Sequence, residues 1–321
     1  MGLFPVLLHK VNETLLALRT FLNPRTLAYL SALGATVIYG LNHTIAKVVM
    51  PQYIQPFGFI LLRVMGASAI FWLISLAYPQ EKIEKKDWKI FVLGAVLGMV
   101  INMLAFFKGL SLSTPIQSSL LVTMTPIIVV AMSALLLKEQ VGWVKTTGIA
   151  LGFGGAMTLV AYGADLSEDA ALVGRGNLLL LINSISFGGY LIVTKKIIHK
   201  YKPITYLKWL FTIATVINAP LCFQELSQVS WNTLPLWAIG SMTFVVVGTT
   251  CMTYLFNAYA LTQLKASSVS TFTYIQPWWG ILFALAVGQD QMTEIKALAG
   301  VLVIVGVYLA TKKQKEPKKS R

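Results

Sequence analysis

The sequence predicts an all-α polytopic membrane protein, in which ten transmembrane helices form two inverted five-helix repeats and both termini are cytoplasmic. The composition, the distribution of positive charge and an internal duplication support this prediction. Of the 321 residues, 56% are hydrophobic and 12% are charged, and the mean hydropathy is +0.71. Soluble domains contain about 25% charged residues. The composition therefore excludes an ordinary soluble domain.

Ten apolar windows follow one another along the chain. A helix needs about 20 predominantly apolar residues to cross a bilayer, and each window has roughly that length. The windows are residues 27–47, 57–77, 88–108, 115–137, 143–162, 176–196, 204–222, 235–257, 265–287 and 293–311. Each predicts one membrane span.

Positive charge is concentrated at alternate ends of these windows. If the N-terminus is cytoplasmic, most of the 26 Lys and Arg residues lie on the cytoplasmic side. Cytoplasmic flanks normally carry this excess, so both termini are predicted to be cytoplasmic. The formal net charge of +14 then indicates contact with anionic lipid headgroups, and we expect no nucleic-acid partner.

An internal duplication relates the two halves of the chain. Pro126 in "SSLLVTMTPIIVV" matches Pro277 in "STFTYIQPWWG" at an offset of 151 residues. At an offset of 148 residues, "YGLNHTIAK" (39–47) matches "FGGYLIVTK" (187–195). Since five spans is an odd number, the second copy must cross the membrane in the opposite orientation. Inverted repeats of this kind are typical of secondary transporters, whose site lies near the midplane between the repeats.

These features divide the chain into four parts. Residues 1–26 form a cytoplasmic or interfacial segment, residues 27–162 the first repeat, residues 176–311 the second repeat, and residues 312–321 a basic cytoplasmic tail. We expect the protein in a bacterial cytoplasmic (inner) membrane.

The chain resembles the EamA group of the drug/metabolite transporter superfamily. The resemblance rests on the ten spans, the inverted duplication, the two proline motifs and the acidic ends "LLKEQ" and "GQDQ", and it covers about residues 27 to 311. It implies a membrane carrier with a central cavity, often an exporter of amino acids, other metabolites or drugs. Fold does not fix the substrate.

Polar residues inside the spans are the candidates for a substrate cavity, because such residues usually face the interior of a helix bundle. Helical spacing groups several of them into stripes. The candidates are Tyr39, Asn42, His43, Arg63, Asn102, Asn183, Tyr190, Tyr254, Asn257, Tyr274 and Gln276. Contact with a polar substrate and hydrogen bonding between helices remain open for each.

Arg63 lies six residues into the second window, and no span contains a well-buried Asp or Glu to pair with it. It either anchors a substrate carboxylate or phosphate or extends to the outer headgroups. The sequence slightly favours the headgroups.

Pro126 and Pro277 lie near the middle of their windows, where proline kinks a helix and frees a carbonyl. We expect the freed carbonyls of Val122 and Thr273 to face protein or a wet cavity. His43 is the one histidine inside a span. Without a buried carboxylate as proton relay, the sequence favours uniport or exchange.

Other function classes leave no clear signature. The chain lacks G-x-S-x-G, Walker and H-E-x-x-H motifs, so we expect no enzyme activity, no catalytic residues, no metal and no cofactor. A channel, and less so a membrane-embedded enzyme, remain alternatives. The expected partners are a small-molecule substrate and the lipid bilayer, and both a monomer and a homodimer remain open.

Overall fold

The computed structural model describes residues 23–137, 142–162, 169–264, 269, 272 and 274–311, and the regular structure within these residues is helical. The predicted N-terminal segment, residues 1–26, lies almost wholly outside the described residues. The basic tail, residues 312–321, lies entirely outside them.

The principal helices follow the apolar windows in order. They are α1 (Pro24–Val49), α2 (Pro56–Ser75), α3 (Lys85–Leu112), α4 (Pro115–Val122), α5 (Thr125–Leu137), α6 (Trp143–Tyr162), α7 (Ala170–Lys200), α8 (Pro203–Ser227), α9 (residues 236–263), α10 (Gln276–Val287) and α11 (Glu294–Thr311).

Eight helical stretches among the described residues are long and apolar enough to cross a membrane. One of these stretches, Pro115–Met132, comprises α4 and part of α5. The predicted number was ten. Helix α1 is not among the eight because polar residues such as His43 and Lys47 lower its hydropathy. Helix α10 is a shorter apolar helix, and much of the first half of its window lies outside the described residues.

Helices in the two halves start at matching positions. Helices α5 and α10 begin at Thr125 and Gln276, and helices α6 and α11 begin at Trp143 and Glu294. Both pairs of starts differ by the 151 residues that relate the two proline motifs. The duplicated sequence therefore forms duplicated structure in this part of the chain.

Helices α3 and α9 each contain a π-helical segment, Val96–Ile101 in α3 and Phe244–Met252 in α9. The two segments begin 148 residues apart and contain six and nine residues. The α-helical parts that follow them, Asn102–Leu112 and Thr253–Gln263, begin 151 residues apart and contain 11 residues each. The π segment of α9 is thus the longer one, and its extra residues explain why the offset between the halves is 148 before these segments and 151 after them. Such segments frequently occur at functional sites.

The packing of the helices repeats in the same way. Helix α2 packs on its counterpart α8, and helix α6 packs on its counterpart α11. Helix α3 packs on α7, while their counterparts α9 and α1 also pack on each other. When each helix is exchanged for its counterpart in the other half, the same helix pairs remain in contact. The two halves are therefore related by a pseudo-two-fold axis.

Small residues allow α6 and α11 to approach closely. A Cβ atom on Gly155 would lie 2.7 Å from the carbonyl oxygen of Ala299, and one on Gly306 would lie 2.7 Å from that of Gly148. The two contacts correspond under the offset of 151 residues. Small residues at helix interfaces are typical of membrane proteins.

Both prolines lie at the start of a helix and not in the interior of one, which corrects the expected mid-helix kinks. Helix α4 ends at Val122, and α5 begins at Thr125 with Pro126 in its first turn. Pro277 lies likewise in the first turn of α10. Proline is tolerated there because the first helical N–H groups have no intrahelical partner.

The carbonyl of Val122 accepts a hydrogen bond from the hydroxyl of Thr125 at 2.9 Å, so it faces protein, which is one of the two expected alternatives. Thr273, the corresponding residue of the second half, lies outside the described residues.

Candidate functional site

Two candidates on α1, Asn42 and His43, are buried and bonded to other helices. Nδ1 of His43 is hydrogen-bonded to Oγ of Ser118 on α4 at 2.8 Å, and its ring meets the edge of Phe106. The hydroxyl of Thr249, in the π segment of α9, donates to Oδ1 of Asn42 at 3.1 Å. These bonds hold α1 against both halves of the protein.

Arg63 on α2 lies in the interior of the helix bundle and is only 6% exposed. Its Nε donates to Oγ1 of Thr250 on α9 at 2.7 Å, and its guanidinium carbon lies 5.6 Å from the centre of the Phe107 ring. The slightly favoured expectation of a headgroup contact is therefore wrong. The contact with Thr250 explains why, because it directs the guanidinium across the bundle.

Four tyrosines from different helices lie at or near this arginine. The side chains of Tyr39 and Tyr254 are neighbours of Arg63, and those of Tyr190 and Tyr206 are neighbours of Tyr254. We call these five residues the Arg63 cluster. They come from α1, α2, α7, α8 and α9, so the cluster lies where both halves of the chain meet.

Further aromatic rings enclose the cluster. Phe187 stacks on Tyr190 with ring centroids 5.4 Å apart, and Phe211 meets Tyr254 edge to face at 6.0 Å. The site thus combines one cation and several hydroxyls with flat apolar walls, as small-molecule sites usually do.

Asn102 and Asn183 connect α3 to α7. The side-chain amide of Asn102 donates to the carbonyl of Asn183 at 3.0 Å, and that of Asn183 donates to the carbonyl of Asn102 at 2.9 Å. This geometry corresponds to the alternative of hydrogen bonding between helices.

The remaining candidates lie on α9 and near the start of α10. Asn257 and Gln276 are half-buried, and neither forms a side-chain hydrogen bond within the part of the chain that the structure describes. The hydroxyl of Tyr274 donates to Oγ1 of Thr311 on α11 at 2.7 Å. Asn257 is three residues beyond Tyr254, so both lie on one face of α9.

The buried carboxylates of the described residues lie elsewhere. Asp87 accepts hydrogen bonds from Lys200 at 2.6 Å and from Tyr201 at 2.7 Å. Lys200 also contacts Glu84 at 2.6 Å, and this bond holds the pKa of the exposed Glu84 carboxyl below its usual value. These groups form a network at one end of the bundle.

The other buried carboxylate joins the two halves of the protein. Oδ2 of Asp290 accepts the backbone N–H of Ile116, in the first turn of α4, at 2.9 Å. Oδ1 of Asp290 accepts a hydrogen bond from the ammonium of Lys296 at 2.9 Å. A carboxylate at a helix N-terminus is stabilised by the helix dipole.

Two glutamates make similar links between the halves, one from α8 to α2 and one from the segment after α2 to the start of α8. Glu225 accepts from the backbone N–H groups of Phe57 and Gly58, in the first turn of α2, at 2.7 and 3.0 Å. Glu81 accepts from the N–H of Lys202, immediately before α8, at 3.0 Å. Each half therefore caps a helix of the other.

The described residues contain no group of three or more His, Cys, Asp or Glu side chains that could hold a metal ion. The Arg63 cluster can bind a ligand through its guanidinium, its hydroxyls and its aromatic rings.

Sequence patterns identified four of the five cluster residues and missed Tyr206. Tyr206 lies at the start of its window, in "PITYLKWL". The sequence did indicate that Tyr206 belongs to the first turn of a helix, because Pro203 precedes it by three residues.

Comparisons with known proteins agree with this architecture. The profile of the EamA-like transporter family matches the chain twice, at residues 26–161 and 174–312. The chain is 22% identical to the uncharacterized transporter YyaM of Bacillus subtilis (strain 168), covering 88% of this chain and 93% of the relative. It is 25% identical to an uncharacterized transporter of Archaeoglobus fulgidus, covering 88% and 98% of the two chains.

A crystal structure of another protein shares the fold. It aligns with a TM-score of 0.60 and 17% identity, covering 88% of this chain and 96% of the other. The two family matches together cover most of the sequence. The chain is an integral multi-pass membrane protein and belongs to the EamA-like transporter family.

Proposed function

We propose that the protein is a secondary transporter of a small polar or amphipathic metabolite, such as an amino acid, a related metabolite or a drug. Transport occurs by alternating access at a cavity around the Arg63 cluster. The observation that carries this proposal is the pseudo-two-fold packing, in which α3 on α7 corresponds to α9 on α1. Related halves with a common site can rock about it and open alternately to either side.

The proposed topology has ten spans with both termini in the cytoplasm of a bacterial cell, in its inner membrane. Helix α1 contains 26 residues, about 39 Å at 1.5 Å per residue, which exceeds the hydrocarbon thickness of about 30 Å. Its polar residues Asn42 and His43 are buried in protein, so its lower hydropathy is compatible with a membrane position.

Export is the proposed direction, and the gradient of the solute is the proposed driving force. His43 is hydrogen-bonded to Ser118, and the buried carboxylates Asp87 and Asp290 are engaged away from the cluster. Within the described ranges, no carboxylate reaches the cluster to form the relay that proton-coupled carriers commonly use. One chain supplies all five cluster residues, so a monomer suffices.

Reconstitution in liposomes tests the proposal. Liposomes loaded with a mixture of amino acids, aromatic acids and nucleosides should release particular solutes at saturable rates, and external solute should accelerate exchange. Protein-free liposomes are the control. Stepwise single-channel currents in planar bilayers, or efflux that rises linearly without saturation, would instead support a channel.

A further inference from the structure

Four hydrogen-bond donors of Arg63 have no partner within the described part of the chain. A guanidinium carries five N–H groups and accepts no hydrogen bond. Nε is bonded to Thr250, and no other hydrogen bond of this side chain occurs among the described residues. The two Nη atoms therefore present a fork of free donors in the interior.

The hydroxyls of Tyr39, Tyr206 and Tyr254, which can donate or accept, are also available. None of them forms a hydrogen bond within the described residues. The three tyrosines are half-buried, so a ligand can reach their hydroxyls. Arg63 itself is buried, and buried polar groups are normally hydrogen-bonded in folded proteins, so its Nη atoms call for an acceptor that the described residues do not supply.

A negatively charged acceptor suits this position better than a neutral one. Burial of an unpaired cation costs far more than burial of an unpaired dipole. Water would satisfy the N–H groups but would add no negative charge to the cation–π contact with Phe107. The buried carboxylates among the described residues, Asp87 and Asp290, are bonded to Lys200 and Lys296, so neither serves Arg63.

We propose, on the basis of the transporter function proposed above, that Arg63 binds the carboxylate of a small monoanionic substrate through its two Nη atoms, while the tyrosine hydroxyls bind its other polar atoms. The Nη fork matches the two oxygens of a carboxylate. One cation balances one negative charge, which favours a carboxylate over a phosphate dianion. The cluster holds no carboxylate for an ammonium group, which favours a monocarboxylate over a zwitterionic amino acid.

Matched ligands test the charge requirement on the unmodified protein. The melting temperature of the detergent-purified protein is measured with 4-hydroxyphenylacetate, benzoate, 4-hydroxyphenylacetamide, phenyl phosphate and phenylalanine. We expect the carboxylates to raise the melting temperature and the amide, of the same shape, to leave it unchanged. Equal responses to acid and amide, no response to either carboxylate, or a larger response to phenyl phosphate or phenylalanine would overturn the assignment.

Matched variants test the residue. Arg63→Gln should weaken binding of the stabilising carboxylate by about tenfold to a hundredfold, and Arg63→Lys, which retains the charge without the fork, should weaken it less. Arg175→Gln makes the same chemical change at an exposed position and should leave the affinity unchanged. Unchanged affinity in both Arg63 variants would overturn the proposal, and if Arg63→Gln fails to fold, Arg63→Lys and the acid–amide comparison decide.

Different results would contradict the carboxylate site and the transporter function. Saturable flux of a neutral or cationic solute, with no preference for carboxylates, would overturn the anion site and leave the transporter intact. Carboxylate binding without flux of any solute would contradict the transporter and leave the anion site intact.

Discussion

The side-chain amides of Asn102 and Asn183 donate to each other's backbone carbonyl oxygens, at 3.0 and 2.9 Å, and thereby join α3 to α7. Both side chains bond to backbone, so each hydrogen bond survives when the other side chain is removed. The pair consequently makes two parallel links between the helices and not one coupled contact.

Replacing either asparagine by alanine should therefore lower the free energy of unfolding by about 0.6 to 1.5 kcal/mol. The effects of Asn102→Ala and Asn183→Ala should add in the double variant. Thermal or denaturant unfolding in detergent measures all three. A double variant no less stable than the worse single variant would show that the two bonds act as one unit.

Gly40 permits the close contact between α1 and α10. A Cβ atom at this position would lie 2.6 Å from the Cβ of Trp279 and 2.9 Å from the backbone nitrogen of Gly280. Gly40→Ala should lower the melting temperature markedly, because the contact involves backbone that cannot give way. Loss of folded protein during size-exclusion chromatography would agree with the same clash.

Substitutions at two other glycines, which have more space around them, serve as comparisons for Gly40→Ala. A Cβ atom on Gly188, the counterpart of Gly40, would lie 3.2 Å from a methyl group of Ile128, and one on Gly154 would meet nothing within 4 Å. Gly188→Ala should cost less than Gly40→Ala. Gly154→Ala should be neutral or stabilising by up to about 1 kcal/mol, since alanine favours helix. The reverse order of stabilities would contradict the packing of α1 on α10.

Substitution of the prolines should have little effect. Pro126 and Pro277 each lie in the first turn of a helix, so alanine there restores no interior hydrogen bond. Pro126→Ala and Pro277→Ala should each change stability by less than about 1 kcal/mol, and saturable flux in liposomes should persist. Stabilisation well above that value, together with lost flux, would support the interior kinks that the sequence alone suggested.

Asp290 should be among the residues least tolerant of substitution. Its carboxylate contacts both the Lys296 ammonium and the N–H of Ile116, and the side chains of the ion pair are 1% and 0% exposed. Asp290→Asn should cost about 3 to 5 kcal/mol, because it removes the negative charge that faces a buried ammonium.

A second substitution tests that cause. Asp290→Asn combined with Lys296→Met removes both charges and should recover part of the lost stability. A double variant less stable than Asp290→Asn alone would show that Lys296 contributes mainly through other contacts. Glu294→Gln, near the same helix start, serves as a control for a change of charge outside the ion pair.

Features that depend on neighbours in sequence could be predicted from the chain alone. The repeat offset of 151 residues locates the starts of α10 and α11 from those of α5 and α6. The proline motifs identify where two windows are interrupted. They do not reveal that each proline begins a new helix, because proline is compatible both with a kink and with a first turn.

Features that depend on tertiary packing could not be predicted. The partner of Arg63 is Thr250, 187 residues away, within the π segment of α9. Helical periodicity placed Tyr254 and Asn257 on one stripe but gave no reason to join Tyr206 of α8 to them. Similarly, the sequence does not indicate that Asn102 pairs with Asn183, because the two residues come together only through the packing of α3 on α7.

Access to the site from both sides of the membrane is the central claim, and side-resolved labelling of one cysteine tests it most directly. Asn257→Cys lies beside Tyr254, and Cys222→Ala with Cys251→Ala removes the two native cysteines. A membrane-impermeant thiol reagent is applied to right-side-out and to inside-out vesicles whose impermeability is verified with an encapsulated thiol. We predict labelling from each side; labelling from one side only, or from neither, would contradict alternating access at the Arg63 cluster.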